Sequence, residues 1–274
     1  GHILSKKNDI FAGNGRGANF LYKNINGNFK NVARSYGVED FFLNARGTAL
    51  SDILYRGRLD ILVSNWQGVH KAYVLKKYKF INLLDPIYSR PSKARTLISA
   101  DFDNDGYDEI FINNIGEVNR LFKILKNGIF EPIPIEIGAE AKGLGTGAAV
   151  ADIDDDGILE LIIGNGESKA QPLKLYKAKV LKNHKYIRIK PINIAGAPAR
   201  GATVTLVSNL RSHSKTIDAG SGYLCQMEPI AHYGLRKNEN NISVKVTWTN
   251  GSEDLIKVLE LNKVITIQQK RLIQ

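Results

Sequence analysis

Apolar and polar residues alternate in short runs along this chain, tight-turn signals separate the runs, and helical periodicity is weak throughout. Phe20-Leu-Tyr-Lys-Asn-Ile-Asn-Gly-Asn-Phe29 reads as two strands around Asn26-Gly27, and Arg120-Leu-Phe-Lys-Ile-Leu-Lys-Asn-Gly-Ile-Phe130 repeats the arrangement around Asn127-Gly128. Asn-Gly suits a two-residue hairpin because both central residues must take positive φ. Two further apolar segments, Gly47-Thr-Ala-Leu-Ser51 and Gly145-Thr-Gly-Ala-Ala-Val150, resemble one another and each precedes a polar loop. The pattern predicts an all-β protein.

Those polar loops recur at a fixed period. Ala100-Asp-Phe-Asp-Asn-Asp-Gly-Tyr-Asp-Glu-Ile-Phe-Ile-Asn-Asn114 and Ala151-Asp-Ile-Asp-Asp-Asp-Gly-Ile-Leu-Glu-Leu-Ile-Ile-Gly-Asn165 lie 51 residues apart. A degenerate copy, Asp52-Ile-Leu-Tyr-Arg-Gly-Arg-Leu-Asp-Ile-Leu-Val-Ser-Asn65, begins 49 residues before the first. A fourth starts in mid-motif as Asp9-Ile-Phe-Ala-Gly-Asn14, with Asp9 again 51 residues before Asp60. A unit of about 50 residues holding several short strands has the size of one propeller blade.

The two intact loops read D-x-D-x-D-G-x-x-E, a pattern suited to calcium. A hard cation takes six to eight oxygens at roughly 2.3–2.6 Å, and alternating carboxylates on a curled loop can converge on one point. The candidate ligands are the side chains of Asp101, Asp103, Asp105 and Glu109 with the Tyr107 carbonyl, and those of Asp152, Asp154, Asp156 and Glu160 with the Ile158 carbonyl. Gly106 allows the sharp turn. Strand residues follow at once, so a strand–loop–strand site is expected in place of an EF-hand, and Mg²⁺ is disfavoured by its tight octahedron. Leu54 and Arg56 replace the second and third carboxylates of the degenerate loop, which is expected to be empty and held by Asp52–Arg56 pairing. Gly1, Ile3 and Ser5 stand at the carboxylate positions of the N-terminal copy, so it cannot bind as written.

These residues resemble the FG-GAP/VCBS-type repeats of integrin-α-like β-propellers. The C-terminal section narrows the resemblance. Asn183-His-Lys-Tyr-Ile-Arg-Ile-Lys190, Gly196-Ala-Pro-Ala-Arg-Gly-Ala-Thr-Val-Thr-Leu206, Gly220-Ser-Gly-Tyr-Leu224, His232-Tyr-Gly-Leu235 and Val244-Lys-Val-Thr-Trp-Thr-Asn-Gly251 look like the series of an ASPIC/UnbV domain. The order Ala199-Arg200-Gly201-Ala202 departs from the usual G-A-R-V, and Thr249 stands where proline is common. Together the two parts resemble the cartilage-acidic-protein family over nearly the whole chain. The resemblance implies a partial or few-bladed β-propeller of FG-GAP/VCBS repeats over residues 1–182, followed by a small β-sandwich-like domain over 183–274. An incomplete propeller would be a piece of a longer protein, or would close with few blades or by self-association. Trp248 is expected in the core, Gly220, Gly222 and Gly251 in turns, and His232 as a satisfied buried imidazole.

Composition adds limits. Hydrophobic residues make up 43% of 274, an ordinary globular share, and no apolar run approaches the length of a membrane span. The lone Cys225 excludes an internal disulfide framework and reads as a small core residue. The formal charge of +11 is uneven: residues 1–100 hold 16 Lys/Arg against 6 Asp/Glu, whereas residues 101–150 hold 4 against 9. The basic section could attract an anionic protein or glycan, although scattered lysines such as Lys71, Lys76, Lys77 and Lys79 also suit a solvated strand face. Nucleic acid is disfavoured, since the acidic loops repel phosphate and no recognised binding motif appears. No nucleophile elbow, phosphate loop or paired metal-spaced histidines is present, and Glu117, Glu131 and Glu167 show no partners in sequence. The leading expectation is a calcium-stabilised, non-catalytic extracellular or cell-surface adhesion module with two Ca²⁺ sites. The alternative is a polysaccharide-acting enzyme or its carbohydrate-binding accessory module. Asn241-Ile-Ser243 and Asn250-Gly-Ser252 are N-glycosylation sequons.

Overall fold

Alternation of side chains across a pleat gives each of the short apolar runs one or two faces to bury, and the chain does so by stacking small antiparallel sheets. The computed structural model describes residues 1–125, 127–134, 142–180, 184–218 and 220–271. The first sheet runs β1 (Ile10–Ala12), β2 (Phe20–Ile25), β3 (Asn28–Asn31), and one helical turn, α1 (Ala33–Tyr36), follows it. The second is a meander of β4 (Ala45–Ser51), β5 (Asp60–Asn65), β6 (Lys71–Lys76) and β7 (Lys79–Asn82). The third repeats it with β8 (Ala94–Ala100), β9 (Glu109–Asn114), β10 (Arg120–Ile124) and β11 (Phe130–Ile133). The fourth has β12 (Gly145–Ala151), β13 (Glu160–Asn165) and β14 (Lys174–Lys177). Asn26 and Gly27 turn from β2 into β3 at φ 53° and 92°, as the Asn-Gly signal requires.

The sequence repeat is a repeat of register. Ser51 faces Asp60, Ala100 faces Glu109 and Ala151 faces Glu160, so each polar loop closes at the same rung of its hairpin. Each first strand also carries an irregularity near its start, between Ala45 and Thr48, Ala94 and Leu97, and Gly145 and Gly147. Successive sheets share cores. Leu21 packs with Ile61, Val63 and Tyr73, then Leu62 and Val74 with Leu97, Ile110 and Phe122, and Ile98 and Phe111 with Ala148, Val150 and Ile163. Strands β5 and β9 are therefore buried on both faces. These buried clusters join each sheet to the next, and among the described residues none of them joins the first sheet to the fourth.

The rest of the chain forms two sheets over one core. One is ordered β18 (Ala231–Leu235), β15 (Lys185–Ile192), β21 (Val264–Gln268), and the other β17 (Ser212–Thr216), β16 (Thr203–Val207), β19 (Ser243–Thr247), β20 (Glu253–Lys257). Ile187, Ile189, Val204, Leu206, Tyr233, Val244, Val246 and Trp248 fill the space between them. Trp248 donates its indole N–H to Asp254 Oδ2 at 2.8 Å, so its one polar atom is satisfied beside the core. The connection from β17 to β18 runs across the first strands of the stack: Gly222 and Thr48 exchange backbone hydrogen bonds of 3.0 and 2.7 Å, and Val150 N–H approaches Met227 Sδ at 3.2 Å. Gly220, Gly222 and Gly251 all take positive φ, as expected of turn formers.

Candidate metal centres

Both intact loops curl in the same way. Asn104 and Gly106 take φ of 59° and 83°, and Asp155 and Gly157 take 57° and 81°. The curl turns a backbone N–H inward, so that Gly106 donates to Asp101 Oδ2 at 3.0 Å and Gly157 donates to Asp152 Oδ2 at 2.9 Å. The closing glutamates reach back to the loop start: Glu109 Oε2 accepts from Phe102 N–H at 2.9 Å, and Glu160 Oε2 from Ile153 N–H at 2.7 Å. One oxygen of each of these four carboxylates is thus engaged in folding the loop. The other four, Asp101 Oδ1, Glu109 Oε1, Asp152 Oδ1 and Glu160 Oε1, are buried without a hydrogen-bond partner.

The carboxylates of each loop converge. Asp101, Asp103 and Glu109 each offer an atom within 4.8 Å of the others, and so do Asp152, Asp154 and Glu160. Oxygens bound to one ion at roughly 2.4 Å can be at most about 4.8 Å apart, so each group is close enough for its three carboxylates to share one cation. Asp105 and Asp156 lie on the same loops but outside these groups. Asp105 Oδ1 accepts from Tyr107 N–H and Asp156 Oδ1 from Ile158 N–H, both at 2.9 Å, which fixes the turn in which Tyr107 and Ile158 sit.

Unpaired buried carboxylates repel one another and resist ionisation. Burial pushes the Asp101 carboxyl up to about 7. Burial, followed by the charges of Asp101 and Asp103, raises Glu109 well above the usual carboxylate range. Burial also raises Asp152, though the Arg188 guanidinium 2.8 Å from its Oδ2 opposes the shift. A cation at either centre would remove this penalty.

The chain supplies part of the counter-charge itself. Lys123, opposite Glu109 on β10, binds Asp105 and lies 3.8 Å from Asp103 Oδ2. Lys177, opposite Glu160 on β14, lies 2.8 Å from Asp154, 2.9 Å from Asp156 and 2.5 Å from Glu160 Oε1. The last is a charge contact and not an aligned hydrogen bond, since Glu160 Oε1 has no such partner. Burial works against the Lys177 charge, but Asp154, Glu160 and Asp156 together hold its pKa above the ordinary lysine range. Each ammonium is a built-in stand-in for a metal ion, and each pairs with later acids of its loop and not with the first aspartate.

The degenerate loop keeps the fold without the acids. Tyr55 and Gly57 adopt the same φ pair, 53° and 74°, and Asp52 Oδ2 takes N–H groups from Gly57 at 2.6 Å and Arg58 at 3.1 Å. The expected Asp52–Arg56 ion pair is not formed. Arg56 gives Asp52 only its backbone N–H, at 2.9 Å, and its guanidinium pairs with Asp60 at 3.2 Å. The curl points the Arg56 backbone toward the loop start and its side chain toward the loop end. In the N-terminal copy Asp9 stands where Asp60 closes the degenerate loop, and it accepts from Leu4 and Asn24 N–H at 2.8 and 2.9 Å.

Sequence reasoning missed what covers the loops. Residues of the C-terminal sheets touch all four: at the N-terminal copy Thr203 Oγ1 meets His2 Nδ1 at 2.7 Å and Glu253 lies 3.3 Å from Lys6. Gly234 N–H donates to Asp101 Oδ2 at 2.9 Å, His232 Nε2 meets Asn104 Oδ1 at 2.6 Å, and Arg236 lies 3.6 Å over the Tyr107 ring. Lys215 and His213 pair with Asp108 at 2.7 and 3.3 Å. Burial would raise Asp108, but these two neighbours hold it far below the usual range, while burial takes the His213 imidazole down to about 3. Arg188, 1% exposed, joins Asp152 to Glu228, and Ser214 N–H donates to Asp52 Oδ2 at 3.1 Å. Of the two loop lysines only Lys123 left a trace in the sequence: it follows Glu109 by 14 residues, as Lys23 follows Asp9, whereas Lys177 follows Glu160 by 17.

The remaining candidates have ordinary settings. His232 is buried as expected and stacks on Tyr186, although its Nδ1 has no partner among the described residues. Cys225 is half-buried, its thiol pushed up by burial and bonded to Ser221 O at 3.1 Å. Two acids that looked partnerless are not: Glu117 accepts from Lys93 N–H at 3.0 Å, and Glu167 is gripped by Arg95. Among the described residues no helix is long and apolar enough to cross a membrane.

Comparison with known proteins agrees with this layout. Residues 101–163 match the FG-GAP-like repeat family, and residues 194–273 match the ASPIC and UnbV family. The chain is similar to cartilage acidic protein 1 of Homo sapiens, at 42% identity over 99% of this chain and 43% of that protein. The Mus musculus protein of the same name is 42% identical over 95% of this chain and 44% of its own length, and the Xenopus tropicalis one 41% over 97% and 43%. The chain thus spans less than half the length of these relatives.

Proposed function

We propose, from the premise that this chain is a homologue of cartilage acidic protein 1 with an FG-GAP-like repeat and an ASPIC and UnbV domain, that it is a calcium-stabilised extracellular interaction module without catalytic activity. The observation that carries the reading is the set of four buried carboxylate oxygens left without a hydrogen bond when the two acidic loops fold, in two clusters of three acids each. Calcium at the first centre would be held by Asp101, Asp103 and Glu109, and at the second by Asp152, Asp154 and Glu160. Asp105, Asp156 and the carbonyls of Tyr107 and Ile158 would complete each shell. The ion supplies positive charge where the folded chain has gathered negative charge, and so stabilises each hairpin. Loop sites of this kind in extracellular modules bind at roughly 0.1–1 mM, which suits a calcium-rich compartment.

The stacked sheets then act as propeller blades whose outer surfaces meet a protein or glycan partner. The positive charge of residues 1–100 favours an anionic one. Thermal melting in calcium and in EGTA tests the reading. Chelation should lower the midpoint, and Asp103→Asn and Asp154→Asn should each remove one bound ion by native mass spectrometry. A melting curve indifferent to chelation, with no ion bound, would defeat it.

A further inference from the structure

The first aspartate of each loop is held from outside its own repeat. Asp101 Oδ2 takes one N–H from its loop, Gly106, and one from β18, Gly234, at 3.0 and 2.9 Å. With that oxygen pinned, Oδ1 is the one left without a hydrogen bond, on a carboxylate that lies within shared-ligand reach of Glu109 and Asp103. Arg211 locks the pair of backbones together: it donates to Gly234 O at 2.6 Å and to Gly106 O, while Glu239 holds its Nε at 3.0 Å. Asn104 extends the contact, meeting His232 on one side and donating to Gly157 O of the other loop at 2.7 Å. At that second loop Arg188 holds Asp152 Oδ2 at 2.8 Å.

We propose that the C-terminal sheets complete the ion loops, so that cation uptake and docking of these sheets on the stack are one coupled equilibrium. The proposal rests on the calcium reading and adds Gly234 and Arg188 as positioning residues for Asp101 and Asp152. Lifting β18 away removes the donor that aims Asp101, and a cation that fixes Asp101 in turn fixes the surface on which β18 sits. Coupling of binding free energies is reciprocal, so each event strengthens the other by the same factor. The second loop differs in one respect: its aspartate is aimed by a full positive charge, which opposes the ion even as it positions the ligand.

Gly234 is a sharp probe. It lies outside the left-handed φ region, so alanine meets no backbone strain there. An added Cβ would however come within 2.4 Å of Asn104 backbone atoms and 2.5 Å of Asp101 Oδ2. Backbone cannot yield at that distance, so Gly234→Ala must push β18 off the loop. Asp103→Asn is the converse probe: its carboxylate contacts Asp105 N–H and Lys123, both within the stack.

The test uses the full chain, with hydrogen exchange of residues 231–235 read by mass spectrometry in calcium and in EGTA, beside calorimetric calcium titration. In the wild-type chain calcium should slow exchange there about tenfold, a typical coupling factor. Asp103→Asn should abolish that slowing, and Gly234→Ala should weaken the first site by a similar factor. Calcium bound at the first loop with exchange over 231–235 unchanged would overturn the coupling alone. Failure of the wild-type chain to bind any calcium would overturn the calcium reading and the coupling with it. If Gly234→Ala does not fold, the Asp103→Asn comparison decides.

Discussion

Replacing Arg188 by methionine should be among the most damaging single changes in this chain. The guanidinium is buried, with Asp152 Oδ2 2.8 Å away on one side and Glu228 on the other. Methionine keeps the stem and removes the charge, so both carboxylates stay in the interface without compensation. Breaking a buried ion pair from one side costs about 3–5 kcal/mol. At roughly 2–4 °C per kcal/mol for a chain near this size, the midpoint in EGTA should fall by about 6–20 °C. Calcium should recover more of the loss in the variant than it adds to the wild type, because the second loop is now more negative. An ion at a hundred times its dissociation constant stabilises by about 2.7 kcal/mol, enough to be read by scanning fluorimetry. A fall below about 2 °C in EGTA would show that Arg188 does not offset the Asp152 and Glu228 charges, and the electrostatic reasoning would be wrong.

Two further outcomes are expected elsewhere. Lys177→Gln removes the ammonium that faces Asp154, Asp156 and Glu160, so calcium should bind the second loop about tenfold more tightly by calorimetry, whereas unchanged affinity would mean the ion and the ammonium do not share the site. His70 is buried against Asn65 N–H and Ser92 Oγ at 3.0 Å each, beside Tyr88, and burial, aided by Arg120, depresses its imidazole to about 3. Because the folded value lies below the unfolded one of 6.5, the unfolded chain takes the proton first, and stability is lost as pH falls below about 6.5. His70→Gln should therefore narrow the gap to wild type by about 2 kcal/mol between pH 7 and pH 5 in urea titrations, and a constant gap would place the imidazole in water.

Much of the design was legible because it is local. The Asp-rich loops, their glycines and the closing glutamates lie within nine residues of one another, and hairpin register then places them alike in each repeat. Asn26-Gly27 foretold its turn for the same reason. Arg56 was misread because it stands four residues from both Asp52 and Asp60, and that spacing does not say that its backbone meets the first and its side chain the second. Asp105 and Asp156 read as ligands equal to their neighbours, and the spacing did not show that each would also cap the turn after it through the N–H of Tyr107 or Ile158. The cover over the loops was invisible for a different reason. Gly234 and Asp101 are 133 residues apart, and no local pattern says that a backbone N–H will complete a carboxylate so far away. The His232-Tyr-Gly-Leu235 motif marked the strand but not its partner.

Diffraction from crystals grown in millimolar calcium, with data collected for anomalous scattering, tests the metal centres most directly. Two peaks are expected, one among Asp101, Asp103 and Glu109 and one among Asp152, Asp154 and Glu160, with the Lys177 ammonium displaced from the second. Lysine nitrogens or waters at both positions, and no anomalous signal at either, would contradict the calcium assignment.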